Sequence, residues 1–92
     1  MAEVIDNQGL HRFELVSGRQ TAFIDYWRSD DRMILIHTEV PEALGGQGIG
    51  STLVRGALDR VKASGLRVVP KCSFVASYIE RHPEYRSLVV GD

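Results

Sequence analysis

The sequence predicts an α/β (α+β) domain: a mixed, mostly antiparallel sheet with two main helices, in the order β-β-β-α-β-α-β. Two alternating runs flank Ser17-Gly18-Arg19, which is a hairpin pattern. A glycine cluster ending at Gly50 is followed by a change from strand period to helical period. After that helix comes a short apolar run stopped by Pro70, as expected for a crossover to a parallel neighbour.

His11 to Val16 alternates, with Phe13 and Leu15 on one face. In the next run, Thr21 to Trp27, Ala22, Ile24 and Tyr26 face one way and Phe23 and Trp27 the other. Tyr26 and Trp27 are expected to be sheet-packing residues. Ser29-Asp30-Asp31 is a second turn. Met33-Ile34-Leu35-Ile36 opens a third strand that is apolar on both faces, which predicts a central strand covered twice. Leu44 to Gly50 is a loop. From Ile49 a stripe of Leu53, Val54, Ala57, Leu58 and Val61 opposes Arg55, Asp59, Arg60 and Lys62. Gly65 stands where a helix-ending glycine belongs. Leu66 to Val69 reads as a buried strand. Phe74, Val75, Tyr78 and Ile79 line one face of a second helix, which begins near Cys72-Ser73 and is closed by Pro83. Leu88-Val89-Val90 reads as a terminal strand, Met1 to Gly9 as a loose lead-in, and Gly91-Asp92 as a free end.

Ninety-two residues suit one domain over 1–92, with an ordered core over about 10–90. A chain of this size buries about 60–65% of its unfolded surface, enough for a thin core. Apolar residues make up 43% and charged residues 25%, with a net charge of −1. That balance predicts neither a nucleic-acid partner nor a membrane partner, and no Lys/Arg run opposes it. The single cysteine rules out an intramolecular disulfide and suits a reducing, cytoplasmic setting. No N-terminal apolar signal segment is seen, and the apolar runs are too short to span a bilayer. The oligomeric state is left open, and a monomer is compatible with the sequence.

The most informative stretch runs from His37 to Ser51. A strand enters the glycines, and the glycines enter an amphipathic helix. Helix-start N–H groups on a backbone that a ligand can approach closely suit an anion, above all a phosphate or pyrophosphate. A plain glycine turn into a helix is the alternative. The P-loop pattern fails because no Lys-Ser or Lys-Thr follows, and the G-x-G-x-x-G dinucleotide pattern does not fit either. Cys72, just before a helix and beside Lys71, has two influences favouring its thiolate. A small buried hydrophobe is the other reading of it. On the third strand, regular alternation puts Leu35, His37 and Glu39 on one face and Ile36 and Thr38 on the other. Glu39 is then a candidate base acting with His37, or a solvated carboxylate at a strand end. His11, His37 and His82 follow no zinc spacing, so no metal is expected. His82 before Pro83 suits a helix end, and Tyr78 suits the core.

Val40-Pro41, then Gly45-Gly46-Gln47-Gly48-Ile49-Gly50, then a helix with Leu53, resembles motif A of the GNAT N-acetyltransferases. The match puts Gly48 and Gly50 on the two glycine positions. Gly45 stands where the motif usually has Arg or Gln, which removes one side-chain contact. The first two strands form a tight hairpin without the usual intervening helices. Pro70-Lys71-Cys72-Ser73-Phe74-Val75 and Tyr78-Ile79-Glu80-Arg81-His82-Pro83-Glu84-Tyr85 bring the likeness closer to the small stand-alone YjdJ-type GNAT-like proteins. It runs from about Phe13 to Val90.

The resemblance implies a minimal GNAT-like fold that binds acetyl-coenzyme A, the small-molecule acyl donor, and transfers acetyl to an amine that no motif identifies. It implies that Gly45, Gly46, Gln47, Gly48, Ile49, Gly50 and Ser51 hold the pyrophosphate. The pantetheine arm would lie in a splay near Val40 and Pro70, with a backbone N–H near Val40 on the oxyanion. His82 would favour the thiol or the nucleotide end. It further implies Cys72 as a nucleophile through acetyl-cysteine, or Glu39 as the general base of direct transfer. The alternative is an acyl-coenzyme A-binding or protein-interaction module that catalyses nothing.

Overall fold

The computed structural model describes residues 3–46 and 48–91. Its strands are β1 (Val4–Asn7), β2 (Arg12–Ser17), β3 (Gln20–Ser29), β4 (Arg32–Glu39) and β5 (Arg67–Pro70). Its helices are α1 (Ile49–Ala63) and α2 (Ser73–Arg81). Short 3-10 segments cover Gln8–Leu10, Glu42–Leu44 and Pro83–Leu88. The sheet order is β1-β2-β3-β4-β5. Neighbours from β1 to β4 are antiparallel, and β5 runs parallel to β4 after the α1 crossover.

Each turn has a local cause. Ser17 pairs with Gln20 across a two-residue loop in which Gly18 takes φ +61°. Ser29 pairs with Arg32 across another, where Asp30 takes φ +53°, a conformation that short polar side chains tolerate. α1 stops at a Schellman motif: Leu66 N–H bonds Val61 O at 3.1 Å, and Gly65, at φ +72°, bonds Lys62 O at 3.1 Å.

Both helices lie on one face. Phe13, Leu15, Ala22, Ile24, Met33, Leu35 and Val68 send alternate side chains into a core shared with Leu53, Val54, Ala57, Leu58, Val61, Val75 and Ile79. At about 25 cal/mol per Å2 of apolar surface, this layer is the main stabilising term. Among the described residues no helix packs on the other face, the bare face, where Val16 and Trp27 stand about half exposed.

Four expectations are corrected. The lead-in before Gly9 holds a strand, β1, which is fixed by tertiary contacts. Arg60 Nε donates to Val4 O at 2.8 Å, and Tyr26 Oη donates to Asp6. Gly56 of α1 makes room, since a Cβ there would fall 2.4 Å from Val4 Cγ2. The terminal strand is only a single parallel bridge, Val68 to Val89, after a 3-10 segment. β4 is covered once, with Ile36 49% exposed. Last, the alternation of β4 breaks. Asp25 pairs with His37 and Tyr26 with Leu35, so Ile36 is an extra residue, a β-bulge. Beyond it Thr38, opposite Ile24, shares the helix face with Leu35, while His37 and Glu39 share the bare face.

Candidate functional site

The glycine loop is anchored by Leu44, which is buried, and opens into a cleft of about 240 Å3. Val40, Leu44, Gly45, Gly46, Gly48, Ile49, Gly50, Ser51 and Phe74 line it. Gln47 lies outside the described residues. Gly46 (φ +78°) and Gly48 (φ +71°) turn the chain in the left-handed region, and Gly48 caps α1. The first intrahelical bond is Thr52 N–H to Gly48 O at 3.0 Å. The N–H groups of Ile49, Gly50 and Ser51 therefore have no acceptor within the helix. No acidic side chain stands in that first turn to neutralise them. The ring of Phe74 lies against Gly50, where a Cβ would come 2.7 Å from its Cζ.

β4 and β5 part beside this cleft. Their last pair is Leu35 with Pro70, followed by one further bond from Cys72 N–H to Leu35 O at 3.0 Å. Beyond that point β4 runs on to Glu39 paired only with β3. The split therefore opens just after Leu35, earlier along β4 than Val40.

Cys72 sits in the fork and caps α2. Its sulfur lies 3.2 Å from Thr38 Oγ1. Burial pushes the thiol up. The Thr38 hydroxyl and the N–H groups of Val75, Phe74 and Thr38 pull it down and prevail, so it ionises below its ordinary range. None of those N–H groups makes a strict capping bond, so their effect is that of nearby dipoles.

On the other face of β4, His37 Nε2 and Glu39 Oε2 are 2.6 Å apart and exposed. The two sequence candidates for chemistry, Cys72 and Glu39, are thus on opposite sides of one strand. His82 sits at the far end of α2, with its Nδ1 2.8 Å from Tyr78 O and its ring stacked on Tyr78 at 3.9 Å. It does not line the glycine cleft. Tyr78 is buried as expected, and burial raises its hydroxyl pKa.

Two site residues escaped the sequence. Phe74 belongs to the apolar stripe of α2 by spacing, yet it is 40% exposed and walls the cleft. Thr38 lies on the face opposite the one that regular alternation gives, because the bulge leaves no mark in the sequence. Among the described residues, no group of three His, Cys, Asp or Glu side chains could hold a metal ion. No helix among them is long and apolar enough to cross a membrane.

Comparisons with known proteins agree with this geometry. The profile of the GCN5-related N-acetyl-transferase family matches residues 12–88. Protein NATD1 of Homo sapiens is 39% identical over 49 residues, which are 53% of this chain and 43% of that protein. Protein NATD1 of Xenopus tropicalis is 37% identical over 49 residues, 53% of this chain and 45% of that protein. The match thus spans less than half the length of these relatives. A GCN5-like protein from Staphylococcus aureus, determined by NMR in solution, superposes with a TM-score of 0.71 at 27% identity. That superposition covers 98% of this chain and 89% of the other. With its mixed sheet, its glycine-capped crossover helix and a profile match over most of its length, this chain belongs to the GCN5-related N-acetyltransferase family.

Proposed function

We propose that this chain binds acetyl-coenzyme A and transfers the acetyl group to an amine. The observation that carries the reading is the cleft at the start of α1, where N–H groups without helical partners meet a hollow whose described lining holds no acidic side chain. Gly45, Gly46 and the stretch from Gly48 to Ser51 would hold the pyrophosphate. The split between β4 and β5 would take the pantetheine arm, and a backbone N–H near Val40 would face the oxyanion.

Cys72 is the nucleophile in this reading. Its thiolate attacks the thioester carbonyl, the carbon–sulfur bond to the coenzyme breaks, and coenzyme A leaves, taking a proton from solvent. An ammonium acceptor arriving over the bare face gives one proton to Glu39 and attacks acetyl-Cys72 as the free amine. The nitrogen–carbon bond forms, the Cys72 thiolate leaves, and the nitrogen releases its second proton to solvent. The split would have to serve as the passage between the two faces.

Incubation with isotope-labelled acetyl-coenzyme A, followed by intact-mass measurement, tests the proposal. One acetyl adduct is expected, lost completely in Cys72→Ala, while amide resonances of the 45–51 loop shift on titration with coenzyme A. Failure to bind at millimolar coenzyme overturns the reading. Binding with neither adduct nor turnover favours the second one, a non-catalytic acyl-coenzyme A-binding module. The near-complete burial of Cys72 and its separation from Glu39 speak for that second reading.

A further inference from the structure

We propose that Thr38 is a positioning residue for Cys72: its hydroxyl donates to the sulfur, holds it at the fork of β4 and β5, and favours its thiolate. The inference rests on the reading in which Cys72 carries the acetyl group. Thr38 Oγ1 is 3.2 Å from Sγ, within range for a hydrogen bond to sulfur. That contact exists only because Ile36 is absorbed as an extra residue. Unbroken alternation from Leu35 would send Thr38 to the bare face and turn His37 and Glu39 inward.

The rest of the surroundings explain why a hydroxyl is needed. Cys72 is buried, and burial raises a thiol. The helix side offers only the N–H dipoles of Phe74 and Val75, short of capping bonds. β4 offers the Thr38 N–H and hydroxyl, while His37 and Glu39 face away from the sulfur. Lys71 adjoins Cys72 in the chain, and no charged side chain is among the principal influences on the thiol. Among the described residues, the Thr38 hydroxyl is the side-chain group placed at hydrogen-bonding distance from the sulfur. A thiol lowered in this way is also the better leaving group when an amine takes the acetyl.

The chain has one cysteine, so alkylation by iodoacetamide reports Cys72 alone. Its rate is measured against pH for wild type, Thr38→Val and Thr38→Ser, with the urea-unfolded chain as the ordinary thiol. Wild type and Thr38→Ser are expected to share a midpoint below that of the unfolded chain. Thr38→Val should move the midpoint up and react several-fold more slowly at pH 7. Thr38→Ala replaces it if the valine variant does not fold by thermal melting. A hydroxyl-free variant with the wild-type profile overturns the inference, as does Thr38→Ser behaving like Thr38→Val. The acetyl adduct is followed separately: if wild type forms none while the profiles still divide by hydroxyl, the acetyl-cysteine route fails and the hold of Thr38 on the thiol stands.

Discussion

The two helix starts at this end of the sheet use the same dipole in opposite ways. α1 begins at Gly48, which has no side chain to offer, and no acid fills its first turn. Its N–H groups are left facing an open cleft. α2 begins at Cys72, whose own sulfur lies near the N–H groups of Phe74 and Val75 without a capping bond. In the proposed function, the first start would receive an anion from outside, and the second would favour an anion made by the chain. Phe74, on the first turn of α2, lies against Gly50 on the first turn of α1 and brings the two within one site.

Straining the glycine cap of α1 should have the largest effect. Gly48→Val forces a branched residue into φ +71°, at a cost of about 1–2 kcal/mol. Urea denaturation should show that loss, and coenzyme A affinity should fall by more than about tenfold as the loop N–H groups lose their aim. Ser51→Glu is subtler because its two effects have opposite signs. An acid in the first turn of α1 stabilises the helix by about 0.3–1 kcal/mol. The same charge repels a diphosphate, so affinity measured by calorimetry should drop about tenfold, or about 1.4 kcal/mol. A fall in both stability and affinity would break the comparison.

The smallest effect belongs to the start of α2. The folded Cys72 thiol ionises below its unfolded value of about 8.5. Its thiolate therefore contributes stability that is complete above pH ~8.5 and is lost as pH falls through the folded value. Denaturation across that window should show wild type gaining on Cys72→Ala as pH rises. A flat difference would mean that α2 does not favour the charge.

Much of this arrangement was legible because it is written in local chemistry. Gly18 marks a hairpin, Gly65 a Schellman stop and Pro83 the end of α2. The glycine cluster marks the loop, and Cys72 stands where a cap stands. What could not be read depends on distant partners. β1 has four residues, too few to show a period, and is held by Arg60, Tyr26 and the gap at Gly56. The bulge arises from how β4 pairs with β3, and Ile36 looks like any other apolar strand residue. A one-residue shift of register then moves Thr38 to the face opposite the one that regular alternation gives, hiding its contact to the sulfur. Phe74 keeps helical spacing yet points at a neighbouring loop, which periodicity cannot detect.

The bulge has a kinetic consequence. β4 carries its surplus residue just where its pairing with β5 ends, so the split between the two strands is part of the fold itself. In the proposed function, entry of the pantetheine arm then asks for no hinge and no lid. Stopped-flow capture should be a single second-order phase, with its speed set by diffusion and orientation and no slower rearrangement after it.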